Sequence, residues 1–346
     1  MRNVFLVAGG TGGHINAAIS VGEELSDKYN IIYLSGTRYL DYQLFKNFEC
    51  IHLDSKPLRT KNPFTLIKNI LSNLLVFFKI LVLFIKKKPS FILGAGGYVC
   101  GPTLLAGKVL GKPIFIIEQN AVAGLTNKLL AKISTKIFTN FKQTKGLEGS
   151  QIVVAGNPIR SNIKESKIPR NTPIRILVFG GSLGATQINR VIENIINIWV
   201  GKEIEIMHQV GKGNLTKKEF MSEAVTYRAT EYIEDMDTEY EKSQIIIARA
   251  GASTISELRV VKRPAILIPY PAATDNHQWY NAHELKNEDL SYIEVLDPKL
   301  NDELLTNKVI EQLDIIINQE KFYQNKFDEV PAAKIIRMEV EKYVRS

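Results

Sequence analysis

Apolar residues along the chain gather into short runs that end in glycine: VFLVAGG at 4–10, FILGAGG at 91–97, ILVFGG at 176–181 and IIIARAG at 245–251. Strand-length runs with no polar alternation are the pattern of strands covered on both faces, as in parallel sheets. Helical stretches follow, for example Ile15 to Tyr29, Gln187 to Val200 and Thr254 to Val261. The order strand, glycine turn, helix predicts an α/β protein. The first and third runs share two glycines, a hydroxyl residue and a further glycine, and the second and fourth each end in a loop of small residues. Two doubly wound domains are expected, at 1–160 and 161–330, joined through the polar stretch from Pro158 to Pro173. Ligands of open α/β sheets sit beyond the carboxyl ends of the strands, so two such domains facing each other would line one cleft with four glycine loops. The other reading of these glycines is tight turns alone.

The segment Pro63 to Lys88 breaks this rhythm. Phe64, Ile67, Ile70, Leu71, Leu74, Phe78, Leu81, Val82 and Ile85 recur at helical spacing, with Lys68, Asn69, Ser72, Asn73 and Lys79 on the other side. Val76 and Leu83 widen the apolar surface beyond what one packed face needs. The polar residues interrupt any run of about 20 apolar positions, which argues against a membrane span. Two readings remain, a helix in the plane of an anionic bilayer and an ordinary core helix.

Composition narrows the class. A chain of 346 residues has room for two domains, and 45% hydrophobic with 23% charged residues excludes a disordered chain. Two cysteines, Cys50 and Cys100, cannot build a disulfide framework or a four-thiolate zinc site and favour a reducing compartment. The opening MRNVFLVAGG is too short for a signal peptide, so no export signal is expected. From Ser55 to Ile117 there is no Asp or Glu but there are ten lysines and arginines, which exceed the net charge of +8. The basicity therefore belongs to one region, 56–112. An apolar helix inside it suits an anionic membrane surface better than nucleic acid.

Candidate chemistry lies in the loops. Gly9-Gly10-Thr11-Gly12-Gly13-His14 follows a strand and opens a helix, where N–H groups and the helix dipole can meet an anion or a hydroxyl. It does not satisfy GxGxxG, and GxxxxGK[ST] is absent, which weakens NAD and P-loop ATP chemistry. His14 is either a structural cap or a group beside a reacting hydroxyl. In Ala250–Glu257, small residues allow a diphosphate to approach the backbone. Glu257 could accept both ribose hydroxyls there, or could be the Glu of a capping box with Thr254. Thr274-Asp275-Asn276-His277-Gln278-Trp279-Tyr280-Asn281 and Glu118-Gln119-Asn120 offer amides that can read sugar hydroxyls. Arg160, in Gly156-Asn157-Pro158-Ile159-Arg160, could pair with a diphosphate. Asp235-Met236-Asp237 has the form of a two-carboxylate metal motif but reads better as a helix start.

In this order, GGTGGH at 9–14, GAGGYVCGP at 94–102, EQNAVAGLTNK at 118–128, GNPIR at 156–160, GGSLGA at 180–185, ARAGASTISEL at 248–258 and DNHQWYNA at 275–282 closely resemble the bacterial MurG family. These are UDP-N-acetylglucosamine:lipid I N-acetylglucosaminyltransferases of peptidoglycan synthesis, and the match runs from about residue 3 to 285. The resemblance implies a GT-B fold of two Rossmann-like domains facing across a cleft. It implies inverting transfer of N-acetylglucosamine to the 4-hydroxyl of the muramyl sugar of lipid I, at the cytoplasmic face of the inner membrane. It implies donor contacts at Thr11, Gly12, Gly13, Asn120, Arg160, Ser182, Ile233 (through its backbone, to uracil), Ala252, Ser253, Thr254, Ile255, Ser256, Glu257 and Gln278. It puts the Asp235 segment on the uracil side, needs neither metal nor cofactor, and suggests that helix 331–346 packs back on the first domain. His14 is expected at the acceptor, as base or orienting group. After GGTGGH the sequence Ile15-Asn16-Ala17-Ala18 departs from the family's large apolar residue and proline. Competing expectations are a GT-B transferase for another membrane lipid, such as diacylglycerol, and a non-catalytic nucleotide-sugar-binding scaffold.

Overall fold

The computed structural model describes residues 1–169, 173–181, 183–215, 223–288, 292–318 and 330–344. The chain divides into two units, Met1–Arg160 with Glu329–Ser346, and Ser161–Asp328.

The first unit runs β1 (Arg2–Ala8), α1 (Gly12–Leu25), β2 (Tyr29–Ser35), α2 (Tyr39–Leu44), β3 (Cys50–His52), α3 (Pro63–Lys87), β4 (Ile92–Gly96), α4 (Cys100–Val109), β5 (Ile114–Glu118), α5 (Leu125–Ala131), β6 (Lys136–Thr139) and β7 (Ile152–Val154). The strands form one parallel sheet in the order β3-β2-β1-β4-β5-β6-β7. The second unit runs β8 (Ile174–Phe179), α6 (Thr186–Ile198), β9 (Ile204–Gln209), β10 (Val225–Thr230), α7 (Met236–Lys242), β11 (Ile245–Ala248), α8 (Ala252–Val261), β12 (Ala265–Leu267), a 3-10 turn (Thr274–Asn276), α9 (His277–Lys286), β13 (Ile293–Val295) and α10 (Asp302–Asn318). Its parallel sheet has the order β10-β9-β8-β11-β12-β13. Helix α11 (Ala332–Glu341) then returns to the first unit.

Alternation along β1 explains why the sheet needs helices on both faces. Val4, Leu6 and Ala8 pack with Ile15, Ala18, Val21 and Leu25 of α1 and with Ala333, Ile336 and Val340 of α11. Phe5 and Val7 point the other way, among Val76, Ile80 and Phe84 of α3, Leu104 of α4 and Leu130 of α5. Arg337 fastens α11 to the end of α1, donating to the Glu24 carbonyl at 2.6 Å and to Asp27 at 2.8 Å. In the second unit Ile176, Val178, Ile245 and Ile247 meet α6 and α10 through Ile188, Ile192, Ile195, Val309, Leu313 and Ile316.

Helix α3 is turned the opposite way from its amphipathic pattern. Asn69, Val76, Ile80 and Phe84 are buried, while Phe64, Ile67, Ile70, Leu71, Leu74, Leu75, Phe78, Val82 and Ile85 are exposed. The amides face inward because the chain just before the helix supplies their partners. Asn73 Oδ1 accepts from the Ser55 hydroxyl at 2.7 Å and the Lys56 N–H at 2.9 Å, and its Nδ2 donates to the Lys56 carbonyl. Asn69 donates to the Pro57 carbonyl and Ser72 to that of Asp54. Val76, Ile80 and Phe84 supply the apolar anchorage, roughly 2 kcal/mol each, with Phe84 edge-on to Phe5 at 4.8 Å. By length and composition α3 is the one described helix able to cross a membrane. Its polar and apolar anchors make it part of the first unit's core, and only its outer surface is bare.

Candidate active site

Both sheets change the direction of strand order at one place, between β1 and β4 and between β8 and β11. Loops leaving adjacent strands in opposite directions open a crevice there, the usual ligand position of a doubly wound sheet. In the first unit these are the loops after Ala8 and after Gly96. They are pressed together: the Gly9 N–H donates to the Gly96 carbonyl at 3.1 Å. Gly97 has φ +94°, and any side chain there would collide with the Gly9 carbonyl. Asp41, fully buried, accepts from the Gly10 N–H and the Arg38 N–H, both at 2.9 Å, and so fixes the first loop from the side.

Thr11 caps α1, its hydroxyl accepting from the His14 N–H. The His14 ring folds over Gly96 and makes a 3.1 Å contact from Nδ1 to the Gly9 carbonyl. A carbonyl only accepts, so neutral His14 carries its proton on Nδ1 and its basic lone pair on Nε2. His14 thus combines a position at a helix start with a ring held against the Gly9 carbonyl.

Glu118-Gln119-Asn120 divides its work. Glu118 is buried, and its oxygens accept from the Asn120 N–H at 3.0 Å, the Gly124 N–H at 2.9 Å and Asn127 Nδ2 at 2.8 Å. Gln119 donates to the carbonyls of Gly13 and Ala95, tying both glycine loops to β5. These two residues are scaffolding, a correction to reading the whole triplet as a hydroxyl-binding set, and Asn120 is the partly exposed member. Arg160 is half-buried at the end of this unit.

In the second unit Gly184, with φ +73°, lies so close to the Val210 carbonyl that no side chain fits. Ser182 lies outside the described residues. Helix α8 starts at Ala252 with Gly251 as its N-cap and no side-chain cap, so Glu257 is not half of a capping box with Thr254. Its carboxylate, 8% exposed, accepts instead from the Tyr240 hydroxyl at 2.8 Å. Ser253, Thr254, Ile255 and Ser256 occupy the first turns, with Ser256 Oγ donating back to the Ala252 carbonyl. The Ile233 N–H donates to Gln209 Oε1 at 2.8 Å. Gln278 Oε1 accepts from the Tyr270 N–H at 2.8 Å, which aims the amide of this sugar-reading candidate. Asp235 N-caps α7 and accepts from the Thr238 hydroxyl, which holds its pKa below the usual range. It sits at a helix start, the alternative to a metal motif.

Three residues of this unit escaped the sequence reading. Gln209, 2% exposed, joins Ile233 to the Gly181 carbonyl, to which its Nε2 donates at 2.9 Å. Arg249 donates to the Ile268 and Pro269 carbonyls and stacks over Tyr270 at 5.6 Å, and burial pushes its guanidinium down to about 10. Tyr240 is the third. A polar pair closing a strand before glycine, as in His208-Gln209-Val210-Gly211, is the signal that could have exposed Gln209.

Comparison with known proteins agrees with this layout. Residues 4–139 match the glycosyltransferase family 28 N-terminal domain and 175–338 its C-terminal domain. A protein of Shewanella denitrificans named UDP-N-acetylglucosamine--N-acetylmuramyl-(pentapeptide) pyrophosphoryl-undecaprenol N-acetylglucosamine transferase is 35% identical over 298 residues, 81% of this chain and 80% of that one. The chain belongs to this family of glycosyltransferases. A family member from Hydrogenovibrio crunogenus is 33% identical, over 89% of this chain and 88% of its own. The crystal structure of MurG from Acinetobacter baumannii superposes with a TM-score of 0.73 at 25% identity, covering 99% of this chain and 100% of that one. The fold is accordingly GT-B, and the protein is a glycosyltransferase.

Proposed function

We propose that this protein transfers N-acetylglucosamine from UDP-N-acetylglucosamine to the 4-hydroxyl of the muramyl sugar of lipid I, with inversion, to make lipid II. The observation that carries the reading is His14, locked by Gly9 in the tautomer that leaves Nε2 basic at the mouth of a glycine-loop helix. His14 takes the proton of the attacking hydroxyl. Negative charge then develops on the departing UDP, and N–H groups at the start of α8 and the Arg160 guanidinium meet it without a metal ion. Within the second unit Glu257 reads the ribose, Ile233 the uracil and Gln278 the sugar being transferred; Thr11, Gly12, Gly13 and Asn120 of the first unit are carried as donor contacts by the family resemblance alone.

The membrane part of the proposal rests on α3. Its bare apolar side, flanked by Lys86, Lys87 and Lys88, suits an anionic bilayer, where each basic residue contributes on the order of 1 kcal/mol. Leu105 and Val109 of α4 and Leu125 and Leu129 of α5, helices of the same sheet face, are exposed as well. Such a surface holds the enzyme peripherally at the cytoplasmic face of the inner membrane, where a polyprenyl-linked acceptor resides.

The test is turnover of purified enzyme with UDP-N-acetylglucosamine and a lipid I analogue, with and without chelator. UDP release that depends on the analogue and survives chelation is expected. Release with diacylglycerol but not with the analogue would transfer the enzyme to another lipid acceptor. Donor binding with no UDP release on any polyprenyl acceptor would make it a scaffold.

A further inference from the structure

Glu257 is a nearly buried carboxylate, and its chemistry depends on what holds it. Tyr240 approaches from α7, 17 residues earlier, and donates its hydroxyl to Glu257 Oε2 at 2.8 Å. The tyrosine itself is 1% exposed, and its ring stands edge-on to Phe179, with centroids 6.0 Å apart. Phe179 is the last residue of β8, immediately before the glycine loop. The hydroxyl is thus delivered by a ring with little freedom to move, and a hydrogen bond to an ionised acceptor is about twice as strong as a neutral one. A glutamate carries three rotatable bonds, and reading two adjacent hydroxyls requires that all three be set before the ligand arrives.

From this geometry we propose that Tyr240 is a positioning residue for ribose recognition: it fixes the Glu257 carboxylate so that the donor's ribose, and not its 2'-deoxy counterpart, is selected. The inference rests on the ribose-reading role given to Glu257 above. Tyr240 acts only through that carboxylate and meets no substrate atom.

The experiment compares KM and kcat for UDP-N-acetylglucosamine and its 2'-deoxyuridine analogue in the wild type, Tyr240→Phe, Glu257→Gln and the double variant, each with its thermal midpoint. The wild type should prefer the ribo donor through KM. Glu257→Gln should abolish most of that preference. Tyr240→Phe should raise the ribo-donor KM roughly five- to tenfold, the size expected for one lost hydrogen bond to a charged group, with kcat unchanged and a smaller rise in KM for the deoxy donor, which keeps only its 3'-hydroxyl for Glu257 to read. The double variant should be no worse than Glu257→Gln alone. Equal KM losses for both donors in Tyr240→Phe, or additive losses in the double variant, would overturn the positioning role while leaving Glu257 as the ribose reader. An intact ribo preference in Glu257→Gln would instead remove the reading beneath it, and the proposal with it. If Tyr240→Phe does not fold, Glu257→Asp withdraws the carboxylate from the tyrosine by one methylene, and retention of the ribo preference there would equally overturn the proposal.

Discussion

The contact between His14 Nδ1 and the Gly9 carbonyl decides which ring nitrogen is basic, and the kinetics should register it. His14→Ala is expected to lower kcat by about 10²–10⁴, the usual contribution of a general base, with the donor KM within about twofold. Steady-state rates at saturating acceptor check this, and equal losses in binding and turnover would make the residue structural. A second histidine works through stability. His208 is 1% exposed, with Nδ1 against the Tyr227 hydroxyl at 3.0 Å, and burial lowers its pKa from 6.5 to about 4. The unfolded chain binds this proton near pH 6.5 and the folded one only near pH 4. Stability should therefore be undiminished above pH 6.5 and fall by on the order of 3 kcal/mol as pH drops to 4. Denaturant titrations of the wild type and His208→Gln test this, the variant showing the flatter pH dependence. At this scale His14, Glu257 and Gln278 were legible because each lies in a strand-end loop or just inside the helix that follows it. Asp41, Gln209 and Tyr240 were not, because they reach across 31, 24 and 17 residues to their partners, and such contacts have no local pattern.

Among the elements, α3 carries the instructive mismatch. Its 3.6-residue period was plain in the sequence, but the side facing the protein was not. Amides normally point to water, yet Asn69 and Asn73 find backbone partners in residues 56 and 57, so their burial costs little. A hydropathy pattern alone cannot anticipate partners supplied by an irregular segment. Replacing Lys86, Lys87 and Lys88 with Glu should weaken binding to anionic vesicles by several kcal/mol at low salt, less at high salt, with a small loss of thermal stability because these residues close the C-terminal turn of α3. Cosedimentation with vesicles of defined charge measures it, and unchanged binding at low salt would remove the docking role. The other elements follow their runs closely, although α1 starts at Gly12 and α8 at Ala252, earlier than apolar spacing suggested, because small residues and glycines form the first turn.

For the whole molecule, the repeated strand, glycine turn and helix were enough to foresee two parallel-sheet units. They did not reveal which residues of the last helix serve the first unit. Ile336 is fully buried among α1 and α11 side chains of that unit. Ile336→Ala should cost about 2–5 kcal/mol there and leave the second unit's unfolding unchanged. Differential scanning calorimetry would show one transition shifting, and a uniform shift of both would mean that the units unfold together. Chain ends and folding units are thus interleaved, since the second unit is an insertion between β7 and α11. The inverted packing of α3 has a practical corollary. One helix keeps most of its structural grip and its surface greasiness on separate residues, so exchanging Leu71 and Leu75 for serine should yield a more soluble enzyme that melts nearly as before. Such a variant would work normally on short-chain acceptors in water and falter only on long-chain ones embedded in vesicles.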